Sequence, residues 1–145
     1  MGKHRFLIVD DVKDSADSLA LVLKLMGQEA RAVYDGEEAV VAAGKLKPDV
    51  MLLDLGMPRV NGYETCRTIR LQSWSQGTLL IAVTGWGQEG DRRRTREAGF
   101  DLHFVKPVDP VDLLAQVARL KTARSGSAGP PRKIPARDEL AARDD

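Results

Sequence analysis

The sequence predicts an α/β fold, a doubly wound parallel sheet of five strands with helices on both faces. Three observations predict it. Five short apolar runs recur along the chain, stretches with helical spacing separate them, and the connections are about two to six residues long, the usual length in such units. Strand, helix and strand alternating in this way imply parallel strands joined by right-handed crossovers.

The strands are "RFLIV" (5–9), "EARAVY" (29–34), "DVMLLD" (49–54), "TLLIAVT" (78–84) and "LHFV" (102–105). The first, third and fourth are almost unbroken hydrophobics, as strands covered on both faces require. In residues 13–26, Ala16, Leu19, Leu23 and Met26 recur at three- and four-residue steps, and Gly27 supplies a stop. Asp35 caps a second helix that runs to about Lys47, before Pro48. Asn61 with Glu64 forms a capping-box pattern for a third, to about Leu71. "GQEGDRRRTREAG" reads as a fourth helix closed by Gly99. Asp109 followed by Pro110 opens a fifth, to about Leu120. From residue 121 onward Gly, Pro, Ser and Ala replace the large hydrophobics, so residues 1–120 are expected to form one domain and 121–145 a disordered tail.

At 145 residues the chain is long enough for one domain with a core and short for two. A formal net charge of +1 gives no electrostatic reason to expect nucleic acid or a membrane surface as a partner. The single cysteine, Cys66, excludes an intrachain disulfide and suits a reducing compartment. No apolar run reaches the length of a membrane span or a secretory signal. A cytoplasmic protein is expected.

In an open parallel sheet, ligands collect at the carboxyl ends of the strands. The first strand ends in Asp10 and Asp11, the third in Asp54, the fourth in Thr84, and the fifth is followed by Lys106. Three carboxylates, a hydroxyl and an ammonium are thereby expected on one rim. Two like charges about 4 Å apart repel by roughly 4 kcal/mol at an effective dielectric of 20. A divalent cation removes that cost, and oxygen ligands without His or Cys favour a hard ion, Mg²⁺. A metal, a third carboxylate and a lysine point to phosphoryl chemistry. Asp54 is the candidate nucleophile, Lys106 and Thr84 the candidate partners of the phosphoryl oxygens. Any one of these residues alone reads as an ordinary polar at a strand end. All five at matching ends do not.

With "LIVDD", "DVMLLDLGMPRVNGYE", "IAVTG" and "FVKPVD" in this order and spacing, the sequence resembles the receiver domain of two-component response regulators over roughly residues 4–120. The resemblance implies a flavodoxin-like sheet with strand order 2-1-3-4-5. It implies phosphotransfer onto Asp54 from a histidine kinase or a histidine phosphotransfer protein. Mg²⁺ would be held by Asp10, Asp11, Asp54 and the backbone carbonyl of Gly56, with Thr84 and Lys106 on the phosphoryl group. The chain would catalyse only its own phosphorylation and dephosphorylation. It would signal by conformational change. Because the tail is short and unstructured, no DNA-binding output domain is expected, so the signal would go to a protein partner without contact to nucleic acid or membrane, unless the chain is a fragment of a larger protein.

Several positions are individual. Gly56, two past Asp54, puts no side chain over an acyl phosphate, while Trp86, two past Thr84, is bulky enough to shield one. The switch position three before Lys106, often Tyr or Phe in the family, is His103. "TGWGQEGDRRRTREAGFDLHFVKPVD" is similar to receivers attached to hybrid histidine kinases. "GWGQEG" (85–90) also satisfies a dinucleotide fingerprint, but it follows the fourth strand instead of opening the first unit, and it leaves the aspartates unexplained. A module that keeps this fold without being phosphorylated is opposed by the intact Asp10, Asp11, Asp54, Thr84 and Lys106 set. Arg92, Arg93, Arg94 and Arg96 read first as a solvated helix face balanced by Glu89 and Glu97. The alternative is a partner-contacting face. Cys66, on a face with Tyr63 and Ile69, reads as a small core residue, and His4 as inert surface.

Overall fold

The computed structural model describes residues 2–57, 61–85 and 92–126. Five strands, β1 (Arg5–Val9), β2 (Glu29–Val33), β3 (Val50–Asp54), β4 (Leu79–Thr84) and β5 (Leu102–Val105), form one sheet in the order β2-β1-β3-β4-β5. Every neighbouring pair is parallel. The helices are α1 (Lys13–Leu25), α2 (Gly36–Leu46), α3 (Gly62–Arg70), α4 (Arg92–Ala98) and α5 (Pro110–Gly126).

Successive strand residues point to opposite faces, and here both faces are buried. Phe6, Ile8, Leu52, Ile81, Val83, Leu102 and Phe104 pack under α1 and α5 with Leu23, Leu113 and Val117. Leu7, Val9, Met51, Leu53, Leu80 and Ala82 pack under α2, α3 and α4 with Ala39, Ala43, Ile69 and Ala98. This is why β3 and β4 read as continuous hydrophobics, whereas the edge strand β2 buries fully only Val33. Cys66 lies in the second core, its thiol pushed up by burial to about 12 and therefore unreactive at neutral pH.

The caps follow the sequence. Asp35 accepts from the Glu38 amide, Asn61 from the amides of Tyr63 and Glu64, and Asp109 from that of Val111. Gly27 sits at φ +89 after α1, a conformation that a β-carbon disfavours. Three boundaries differ from expectation. Met26 caps α1 instead of joining its buried face and is 37% exposed. A 3₁₀ turn at Ser73–Gly77, where no apolar period signals structure, closes on the Gln72 carbonyl through the Ser75 amide and hydroxyl. The third is α5, expected to end near Leu120, which continues to Gly126. Lys121 and Ala123 are good helix formers, no proline interrupts before Pro130, and Lys121 Nζ donates to the Gly77 carbonyl at 2.7 Å. The start of the expected fourth helix, with Trp86 and most of "GWGQEG", lies outside the described residues, as do residues 127–145.

A buried charge cluster braces the amino end of the sheet. The Arg70 guanidinium donates to the carbonyls of Gly99, Ser75 and Thr78 and pairs with Asp101 at 2.7 Å. The same Asp101 oxygen accepts from the Leu80 amide. Gly99, at φ +113, leaves room for this arginine, since a β-carbon there would lie 2.8 Å from Arg70 Cγ.

Candidate functional site

At the opposite, carboxyl rim the parallel register brings the strand ends together. Asp10 follows β1 and Asp54 ends β3, both 5% exposed, while the adjacent Asp11 is open to solvent. One oxygen from each of the three aspartates lies within 4.8 Å of the others. At that separation each like-charged pair repels by about 3 kcal/mol at an effective dielectric of 20.

Backbone and side-chain donors fix two of the three. Asp10 Oδ1 accepts from the Val12 amide at 3.0 Å, and Asp54 Oδ1 from the Gly56 amide at 2.8 Å. Lys106 Nζ reaches Asp54 Oδ2 at 2.9 Å and Asp10 Oδ2 at 3.2 Å. Burial pushes the Asp54 carboxyl up, and the hydrogen bonds from Lys106 and Gly56 only partly offset it, so the net shift is upward. Burial pulls Lys106 down, but the Asp54 and Asp10 carboxylates outweigh it and hold the ammonium above its ordinary value. Among the described residues, one cation against three carboxylates leaves the rim with an excess of negative charge.

The loop after Asp54 is brought close by Gly62 at the start of α3. A β-carbon there would lie 2.6 Å from Leu55 Cδ2 and 3.5 Å from the Asp54 carbonyl. Thr84 ends β4, buried, with its Oγ1 3.0 Å from Nε2 of His103. Leu102 and Phe104 face the α1–α5 core and Ala82 the other one. By alternation, His103 and Thr84 both face the α4 side. Beside the aspartates, on the α1 side, a cavity of about 590 Å³ opens between Ser15, Ser18, Leu19, Val108 and Pro110, reaching Asp54.

The structure thus gathers Asp10, Asp11, Asp54 and Lys106 into one cluster, with Gly56 bound to Asp54 through its amide. It places Thr84 on the same rim, bonded to His103. The Arg70–Asp101 brace went unnoticed in the sequence, where Arg70 looks like any basic residue in a last helical turn. Among the described residues the donor set, three carboxylates with no nitrogen or sulfur ligand, suits a hard divalent cation.

The response regulator receiver domain profile matches residues 6–118. The DNA-binding response regulator MtrA of Mycobacterium tuberculosis is 36% identical over 120 residues, 82% of this chain and 51% of MtrA. The DNA-binding dual master transcriptional regulator RpaA of Synechocystis is 30% identical over 80% of this chain and 48% of RpaA. The chain therefore spans about half the length of these relatives. Neither is described as a hybrid kinase, so the likeness to hybrid-kinase receivers finds no support in them. Among solved structures, chemotaxis response regulator CheY4 of Vibrio cholerae is 28% identical with a TM-score of 0.71, covering 83% of this chain and 98% of that one. A CheY-like receiver domain protein from Methanospirillum hungatei is 26% identical with a TM-score of 0.75, covering 86% and 98%. Sheet order, acidic rim and relatives agree: the chain belongs to the family of response regulator receiver domains, the phosphoacceptors of two-component signalling.

Proposed function

We propose that Asp54 is the phosphoacceptor, and that it receives a phosphoryl group from the phosphohistidine of a histidine kinase or a histidine phosphotransfer protein. The observation that carries this reading is the Asp54 carboxylate itself, buried at a strand end, held by Gly56 and Lys106, yet lining an open cavity. One Asp54 oxygen forms the new bond to phosphorus as the phosphorus–nitrogen bond breaks, and the electron pair leaves with the imidazole. Lys106, already on Asp54 Oδ2, is placed to pair with the transferred group, and the Thr84 hydroxyl is the nearby donor for another oxygen.

Asp10, Asp11, Asp54 and the Gly56 carbonyl would hold Mg²⁺. When bound, the ion neutralises the carboxylates and the charge of about −1.5 to −2 that a phosphoryl group adds. Asp11 is exposed to solvent, which would suit an ion that keeps several of its waters. The chain acts on no substrate but its own phosphoryl group. It reports to a protein partner, is cytoplasmic, and carries the receiver in residues 1–120 with 121–145 as an appended segment. The relatives named DNA-binding are twice as long, so their DNA contact is not assigned to this chain. Among the described residues no helix is long and apolar enough to cross a membrane.

The test is labelling with a phosphodonor and Mg²⁺. One base-labile acyl phosphate is expected, lost in Asp54→Asn. Lys106→Ala is expected to bind Mg²⁺ yet label poorly. Parental labelling in Asp54→Asn would overturn the assignment.

A further inference from the structure

Helix α1 begins directly after Asp11 and Val12, and it begins without a cap of its own. Val12 occupies the capping position at φ −85 and ψ 98, an extended backbone, and its isopropyl group offers no acceptor to the amides of the first turn. A helix start in this state frays more readily than a capped one. Fraying here would reach beyond the helix, because the first residues to come loose adjoin Asp11, the exposed member of the acidic cluster.

The start of α1 is instead held from the end of β2. Asp10 is tied there through its amide, which donates to the Val33 carbonyl at 3.2 Å. The next residue, Tyr34, crosses to the helix. Its hydroxyl donates to Asp17 Oδ1 at 2.6 Å, and the Lys13 ammonium lies over its ring, 5.3 Å from the centroid. Tyr34 is itself fixed, since its amide donates to Glu38 Oε1 at 2.9 Å and its side chain packs against the core beneath α1 and α5. The hydrogen bond to Asp17 pushes the phenol up, so the donor is kept throughout the neutral range. Asp11 thus lies in a span pinned on one side by Val33, through Asp10, and on the other by Tyr34, through Lys13 and Asp17.

We propose that Tyr34 is a positioning residue for Asp11: it replaces the missing cap and holds the start of α1 so that the third carboxylate stays in place for the cation. The proposal rests on the reading of Asp10, Asp11 and Asp54 as the Mg²⁺ site. If the first turn is ordered in only a fraction of molecules, apparent affinity for the ion falls by that fraction. A hydroxyl outside the cluster then contributes to metal binding without touching the metal.

Metal-free full-length chain is titrated with Mg²⁺ by calorimetry. Exchange of the Ala16 amide, which closes the first turn on the Val12 carbonyl, is followed by NMR. Tyr34→Phe keeps the ring beneath Lys13 and removes only the hydroxyl. It is expected to weaken Mg²⁺ binding roughly two- to fivefold, the size of one net hydrogen bond, and to speed Ala16 exchange in the metal-free chain. Beside Asp17→Ala, the same change is expected to alter affinity by less than about one and a half-fold, because the bond is already gone. Val12→Ser gives α1 its own cap and is expected to restore both readings in the Tyr34→Phe chain. Parental Mg²⁺ affinity in Tyr34→Phe overturns the proposal, even where the denaturant midpoint falls, since that marks a residue serving stability alone. So does a loss that persists undiminished beside Asp17→Ala, or one that Val12→Ser leaves in place. Parental affinity in Asp11→Asn overturns the metal site itself, whereas a weakened Asp11→Asn with an unchanged Tyr34→Phe overturns the positioning role alone.

Discussion

Two charged clusters occupy opposite ends of one sheet, and they are built on opposite accounts of charge. At the amino end, Arg70 meets a single carboxylate, Asp101, and spends its remaining donors on three carbonyls. At the carboxyl rim, among the described residues, one lysine meets a group of three aspartates gathered within 4.8 Å. Among the described residues the first cluster sets one guanidinium against one carboxylate. The second carries an excess of carboxylates, which the proposed cation would offset. Buried charge is thus no guide to function by itself. What discriminates is whether the protein balances it.

The sharpest way to break this contrast is to remove one member from each end. Arg70→Met takes the guanidinium away from the buried Asp101 carboxylate and is expected to cost about 3–5 kcal/mol of stability, read as a fall in denaturant midpoint. Labelling of the protein that remains folded should be unchanged. If that variant is fully stable, the brace is ornamental. Asp11→Asn should behave in the reverse manner, with stability unchanged or raised because repulsion is relieved, and Mg²⁺ affinity lowered at least about tenfold, equivalent to about 1.4 kcal/mol. Isothermal titration of both variants with Mg²⁺ separates the two roles.

A smaller effect follows from pH. The folded Asp54 carboxyl lies above its ordinary value, so folding favours its protonated form. The resulting penalty is absent below the ordinary carboxylate range, grows as pH rises through it, and is complete only above the raised value. In metal-free buffer, Asp54→Asn should therefore be more stable than the parent at pH 7, and the difference should vanish as pH falls through the carboxylate range. A difference that widens on acidification would reverse the sign assigned to Asp54.

Much of this was legible in the sequence because burial on two faces writes itself as unbroken hydrophobics, as in "VMLL" and "LLIAV". The strand ends then locate Asp10, Asp54 and Thr84 without coordinates. Caps at Asp35, Asn61 and Asp109 were equally plain, since each is a local side-chain-to-amide bond. The Thr84–His103 bond was not, because alternation gives the face of a residue and not a diagonal distance between strands. Nor was the Arg70 brace, whose partners come from two stretches well apart in sequence, residues 75–78 and 99–101. The end of α5 was misplaced because composition changes at residue 121 before any stop residue does.

Thr84 and His103 lie on the α4 side of the sheet, whereas the cavity that reaches Asp54 opens beside α1. Were a donor to enter by that cavity and a partner to read the α4 side, the two would not contend for the same ground. Writing and reading of the mark could then overlap in time, and the pace of signalling need not be set by how quickly the donor departs. One layer of β-sheet is all that separates them.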